Sequence, residues 1–392
     1  MVKRVQKFDH NCESFQNFDD GIKTDTTRRT YSYILDELMR FANYIDYDEL
    51  IKLDDDGIHE LLKQWIRHFK QKGLAYKTCK LNLNAAEHFF EMNKRIIYKK
   101  LLHKMLPYSD EVPAGDVPFT TEELWLMKQT AVKPRDIAVI DFLASTGVRP
   151  GSLTDPVLKI KHTKEMSNGC MAIRVYDDTR EGYWAFLTPE ATQSLKRYHA
   201  SRRRNGETLD DESVLFKNYE NPNKRKDWID ANTIRQMLNG IIKHAGIERK
   251  KTKNRYDKPI VYGFRKRFNT ILKLNNAVNS NIVEKLMAHK RGLDGVYLKP
   301  TMEQCFTEFQ KAIIDLTLDP TMRQQIKIEK LEEEKNENKQ LVERVKILEK
   351  ELKPHREIEP DLKQFALGFF EDMFDKMEFE KIPRVKNKLL TA

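Results

Sequence analysis

The chain has 392 residues, enough for two or three domains, and 40% of them are apolar, enough for packed cores. Seventy Lys and Arg stand against 60 Asp and Glu, a net charge of +10 with a pI near 9.1, and such a surplus favours a polyanionic partner through counterion release. No apolar run reaches 18 residues, which argues against a helical membrane span. MVKRVQKFDHNCESF lacks the apolar stretch of a signal peptide, and Cys12, Cys79, Cys170 and Cys305 show neither CxxC nor Cys/His metal spacing, so reduced thiols in the cytoplasm are expected.

Residues 1–25 are polar and read as a flexible N-terminus. From 26 to 106 the apolar period is helical. Ile34, Leu35, Leu38, Phe41, Ala42 and Ile45 share one face. Ile58, Leu61, Leu62, Trp65, Ile66 and Phe69 share another, which Gly73 ends. Cys79, Leu83, Ala86 and Phe90 line a third helix. This is a small helical bundle. Its polar edges carry Arg67, Lys70, Lys72, Lys77, Lys80, Lys94 and Arg95. Such residues are usually a solvated face, yet KQKGLAYKTCK holds four lysines and no acid, which suits tracking of phosphates.

PYSDEVPAGDVP, 107–118, has three prolines and a glycine and reads as an interdomain linker. The second domain, 119–319, opens with a capping box at Thr120 and Glu123. The buried helix RDIAVIDFLAST follows and ends at Gly147. MAIRVY and YWAFLT, joined by DDTREG, make a hairpin. Helices resume at PEATQSLKRYHASRRR and run to about 318. From 320 to 356, Leu331, Asn338, Val345 and Leu352 fall seven apart with Leu341 and Leu348 offset by three, an a/d seam of a short coiled coil. The tail, 357–392, restarts after Pro360 as an amphipathic helix with Leu362, Phe365, Ala366, Phe369, Phe370, Met373 and Met377 on one side, a face costly to leave uncovered. The fold class is therefore mainly α: a helical bundle, then an α-rich domain with a small antiparallel sheet, then a coiled-coil extension.

Three stretches carry chemistry. STGVRPGSL presents Arg149 after a glycine turn, YGFRKRFNT presents Arg265, and AHKRGLDGVYLKP sets His289 and Tyr297 around GLDG. Between 243 and 267, ten Lys and Arg, Lys266 among them, face two acids. Alone, each is weak: an Arg after a helix is more often in a surface ion pair, and a lone His is more often a cap. Together, two guanidiniums can clamp the non-bridging oxygens of a phosphodiester, His289 can add a donor, and Tyr297 can attack phosphorus. Neither a metal nor another cofactor is required, and no nucleotide-binding phosphate loop is present.

In these motifs the chain resembles the tyrosine recombinase (integrase) family. TGVRPGSL looks like its first arginine motif, YGFRKRF like its His-x-x-Arg motif, and AHKRGLDGVY like its Gly-His motif and nucleophilic tyrosine, with a GLD turn most similar to archaeal members. The resemblance spans roughly 25–318. It implies a core-binding domain and a catalytic domain closing as a clamp on duplex DNA. Arg149, Arg265 and His289 would bind the scissile phosphate, and Tyr297 would form a 3′-phosphotyrosine. It further implies four protomers acting on two DNA sites through exchanged C-terminal helices, and a cytoplasmic, nucleoid-associated protein; the coiled coil adds a further candidate contact. Three positions depart from the pattern: Tyr262 replaces the usual His, Ala288 the usual Gly, and Arg180 stands in the hairpin turn where a lysine normally protonates the leaving oxygen. An arginine gives up a proton poorly, so Lys159, Lys161 and Lys164 are alternatives. These departures keep open a catalytically weak or inactive DNA-binding relative beside the recombinase, and a topoisomerase-like relaxer shares the same chemistry.

Overall fold

The computed structural model describes residues 8–108, 116–219, 227–252, 255–289 and 297–376. The chain divides into two compact units, Met1–Pro113 and Ala114–Ala392. Most of the expected linker (109–115), the GLDG turn within 290–296, and Met377 lie outside the described residues.

The first unit is helical: α1 (Glu13–Asp20), α2 (Asp25–Ala42), α3 (Tyr47–Leu50), α4 (Asp55–Gln71), α5 (Tyr76–Met92) and α6 (Lys99–Lys104). Thr24, Asp46 and Asp54 cap α2, α3 and α4 by accepting from backbone N–H groups that the first turn leaves unpaired. Leu35, Leu38, Leu62, Trp65, Ile66, Leu83, Ala86, Phe89 and Phe90 form one core. Two details differ from the sequence reading. Phe15 and Phe18, three apart, turn part of the polar N-terminus into α1 and bury it against that core. Ile45 is 73% exposed, because α2 stops at Ala42 with Asn43 left-handed (φ 57) and the helical period ends there.

The second unit begins with α7 (Thr121–Thr130), whose capping box joins Thr120 and Glu123 reciprocally. The buried helix α8 (Pro134–Thr146) starts on a proline and ends at left-handed Gly147, φ 56. Strands β1 (Thr163–Glu165), β2 (Met171–Val175) and β3 (Tyr183–Leu187) form an antiparallel sheet in the order β1-β2-β3. Its two faces feed two cores. Ile173, Val175, Tyr183, Ala185 and Leu187 join the cluster under α8, whereas Ala172 and Phe186 join Phe268, Leu272, Phe306 and Phe309 on the other side. Burial on both faces explains why β2 and β3 read as nearly continuous apolar runs.

The remaining elements are α9 (Pro189–Arg204), α10 (Ala231–His244), a small ladder of β4 (Lys251–Thr252) and β5 (Arg255–Tyr256), α11 (Ile260–Leu274), α12 (Ser280–Leu286), α13 (Met302–Gln310), α14 (Ile313–Leu316) and α15 (Pro320–Lys376). A buried knot fixes the root of α15. The Lys128 ammonium lies 2.8 Å from Asp141 and 2.5 Å from Glu190, and Glu190 also accepts from the N–H groups of Leu318 and Asp319. The backbone of α15 stays helical through positions 354 and 360, so the break expected at Pro360 does not occur; a proline removes one helical hydrogen bond and need not end a helix. At about 1.5 Å per residue this helix is roughly 85 Å long. Every residue from 327 to 351 is exposed, Leu331, Leu341, Val345 and Leu348 included. No helix among the described residues is long and apolar enough to cross a membrane.

Candidate functional site

The site forms where α8 and α12 end, beside the N-terminal half of α11. Gly147 turns the chain after α8, so that Arg149 starts a 3-10 turn, Pro150–Leu153. A Cβ on Gly147 would lie 2.6 Å from the Phe268 ring, and the backbone there is left-handed. Gly147→Ala therefore meets both a conformational penalty of about 1–2 kcal/mol and an overpacking penalty of about 1–3 kcal/mol. A thermal melt should show a clear loss of stability, and a melt unchanged from wild type would refute the tight-turn account.

Arg265, from the middle of α11, is only 6% exposed. It donates to Gly147 O at 2.8 Å and to Met287 O, and its Nη2 lies 3.0 Å from His289 Nε2. It thus ties together the turns that carry Arg149 and His289. Arg149 is half-buried and donates to Ala288 O at 3.3 Å. Burial and the neighbouring Arg149 charge both pull the Arg265 guanidinium below its usual range. Among the described residues, neither arginine is paired with a carboxylate. Two neighbouring guanidiniums without a described carboxylate partner, one of them nearly buried, have the chemistry to bind an anion.

His289 is held by a helix-end motif. The N–H of Ala288 bonds to Lys285 O, and that of His289 to Glu284 O, the paired bonds of a Schellman cap. Ala288 occupies its left-handed position (φ 49), which explains in physical terms why glycine is usual there. His289 Nδ1 lies 2.7 Å from Glu284, whose other oxygen meets Lys273 at 2.6 Å. A carboxylate at Nδ1 assigns that nitrogen as donor and leaves Nε2 facing Arg265. Burial pushes the Glu284 carboxyl up, but hydrogen bonds from Lys273 and His289 outweigh it and hold it below its ordinary range.

Three phenols share the electrostatic neighbourhood of the arginines: Tyr176, Tyr183 and Tyr262. Tyr262 is 51% exposed on the first turn of α11. Tyr183 opens β3, and its buried hydroxyl has no hydrogen-bond partner among the described residues. Burial raises the Tyr176 and Tyr183 phenols, while both arginines pull them back. Tyr297 is 78% exposed, and its hydroxyl bonds to no described residue.

The remaining predicted residues scatter. Arg180 is exposed in the β2–β3 turn. Lys159 and Lys161 both pair with the exposed Glu212 at 2.7 Å, and Lys164 is exposed on β1. Lys70, Lys72, Lys77 and Lys80 are exposed where α4 meets α5 in the first unit. Arg95 is instead paired with Asp55 at 2.9 Å, and Lys266 with Asp116 at 2.5 Å. Sequence reasoning missed Glu284, Tyr176 and Tyr183. The first lies five residues before His289, a spacing that acquires meaning only once the helix end is known; the two tyrosines looked like ordinary strand aromatics.

The model for the phage integrase family matches residues 120–293. No curated protein matches the chain. The Tn1549 transposon integrase in complex with transposon right end DNA is similar at 18% identity and a TM-score of 0.51, over 76% of this chain and 96% of that one. The lambda integrase dimer bound to a COC′ core site gives 13% and 0.49, over 72% and 92%. The pre-cleavage complex of XerH recombinase with its difH substrate gives 17% and 0.47, over 72% and 77%. The first of these carries the fold: a mainly helical chain whose small antiparallel sheet matches the tyrosine recombinase catalytic fold.

Proposed function

We propose that this protein is a site-specific DNA recombinase of the integrase type, which cleaves and rejoins strands through a 3′-phosphotyrosine at Tyr297. The observation that carries this reading is the pair Arg149 and Arg265, close, unpaired with any described carboxylate, and tied to the turn that bears His289. The match of residues 120–293 to the integrase family supports it.

The chemistry follows from the charges. In-line attack by the Tyr297 oxygen raises negative charge on the non-bridging oxygens of the phosphate. Fixed guanidiniums stabilise that charge more in the transition state than in the ground state, each such donor contributing about 2.7–4 kcal/mol. His289 stands beside Arg265, with Glu284 fixing its ring through Nδ1, and adds its imidazole to the phosphate site. Tyr262 supplies a neutral hydrogen bond. The phosphotyrosine conserves the bond energy, so a 5′-hydroxyl can re-attack it without ATP. The lysines at 70, 72, 77 and 80 track the duplex backbone, with Lys266 a weaker contributor because Asp116 already holds it. Four protomers act on two sites. The exposed seam of α15 pairs with the same seam on a neighbour, where Asn338 sets the register.

A duplex nicked beside the cleavage site tests the activity. Loss of the short 5′-fragment prevents rejoining, so an active protein accumulates as a covalent adduct visible as a shifted band under denaturing conditions. A protein that shifts this DNA in a native gel yet yields no adduct is the inactive DNA-binding relative, a reading that Arg180 in the hairpin turn favours.

A further inference from the structure

If Tyr297 attacks phosphorus, some group must protonate the departing 5′-oxygen, and the residue in the turn where a lysine was expected is Arg180. A guanidinium holds its proton tightly and is a poor proton donor. Lys159 and Lys161 are held by Glu212. The hairpin itself offers another group.

By strand alternation, Tyr176 belongs on the face of Ala172 and Arg174, away from Ile173 and Val175. It does not go there. Its backbone is left-handed (φ 54), which is costly for a residue with a bulky side chain. The turn that imposes this is well tied: Thr179 donates to Tyr176 O through both its N–H (3.2 Å) and its hydroxyl (2.7 Å), and the N–H of Gly182 donates to Thr179 O at 3.1 Å. The reversal throws the Tyr176 ring back over the α8 side of the sheet, where it packs on that core 6.2 Å from the Tyr183 ring. Its hydroxyl comes to rest over the turn that carries Arg149: a Cβ on Gly151 would lie 4.0 Å from it. The hydroxyl bonds to no described residue, and the ring is half-buried, open to a ligand. A strained backbone thus aims an unpartnered phenol at the two-arginine site.

We propose that Tyr176 is the general acid for strand cleavage, the group that protonates the 5′-oxygen as it leaves phosphorus. The inference rests on the phosphotyrosine reading above. The bond from Tyr297 oxygen to phosphorus forms, its proton passing to solvent. The bond from phosphorus to the 5′-oxygen breaks, and its electron pair takes the Tyr176 proton. Burial raises the Tyr176 phenol above its ordinary range, and Arg149 and Arg265 pull it part of the way back, so the two guanidiniums offset some of the cost of the phenolate. A phenol is a far better donor to an alkoxide than a guanidinium is. In rejoining, the same phenolate takes the proton of the attacking 5′-hydroxyl.

Two nicked duplexes separate the roles, one with a normal 5′-oxygen at the cleavage point and one with sulfur in that bridging position. A thiolate leaves without a proton. Tyr176→Phe should slow adduct formation on the oxygen substrate by about 10²–10⁴-fold and react with the sulfur substrate at the wild-type rate. Tyr262→Phe should slow both substrates alike. Equal losses on both substrates for Tyr176→Phe, no loss on the oxygen substrate, or sulfur rescue of Tyr262→Phe instead would each overturn the assignment. A wild-type protein that forms no adduct on either substrate removes the phosphotyrosine reading itself.

Discussion

Protein carrying Tyr297→Phe should bind DNA as tightly as wild type and form no covalent adduct, a loss of at least about 10⁴-fold, the scale on which an enzyme loses rate with its nucleophile. The structure makes this a clean experiment. The Tyr297 ring is largely exposed and its hydroxyl bonds to no described residue, so removing one oxygen leaves no buried group unsatisfied. The melting temperature should not move. Whatever is lost is then chemistry rather than folding. On the proposed reading DNA affinity rests on cationic groups elsewhere, including the exposed lysines of the α4–α5 edge, and its salt dependence should be unchanged. An adduct that persists in the variant means that another residue attacks phosphorus, and the proposed mechanism falls.

The parts of this protein that were readable in advance are those whose signal is local. Thr120 and Glu123 announce the start of α7, a glycine announces the end of α8, and the apolar period of α4 and α5 names most of the buried face, missing Ala85 and Phe89 and including the partly buried Leu61. Ile45 misled because a period continues on paper past the point where Asn43 turns the chain. Pro360 misled because a missing N–H weakens a long helix without ending it. The candidate site was legible as residue types. Arg149, Arg265 and His289 do converge, through Arg265 hydrogen bonds to Gly147, Met287 and His289. What was not legible is the side on which a residue lies after a turn. Alternation alone sends Tyr176 to the wrong face, and only its left-handed backbone reverses it. Glu284 escaped for a similar reason: it meets His289 because a Schellman cap folds the helix end back, a contact with no fixed spacing in sequence.

Arg265→Lys should lower adduct formation by about 10²–10³-fold, a greater loss than its effect on folding explains. The guanidinium does two jobs that an ammonium cannot combine. It bridges the carbonyls of Gly147 and Met287, 140 positions apart in the chain, while also reaching His289 Nε2. A lysine keeps the charge but is a point donor on a flexible stem. It can satisfy one carbonyl and leaves the other buried without a partner, at a cost of about 1–3 kcal/mol in stability. The two turns that carry Arg149 and His289 are then no longer clamped, and the flat, two-pronged grip on phosphate is gone. Thermal melts and single-turnover cleavage by the folded protein distinguish these effects. If the variant melts lower yet cleaves at the wild-type rate well below its melting point, Arg265 is a structural strut alone. The phosphate would then have to be gripped by Arg149 without it, contrary to the two-guanidinium site on which the proposed chemistry rests.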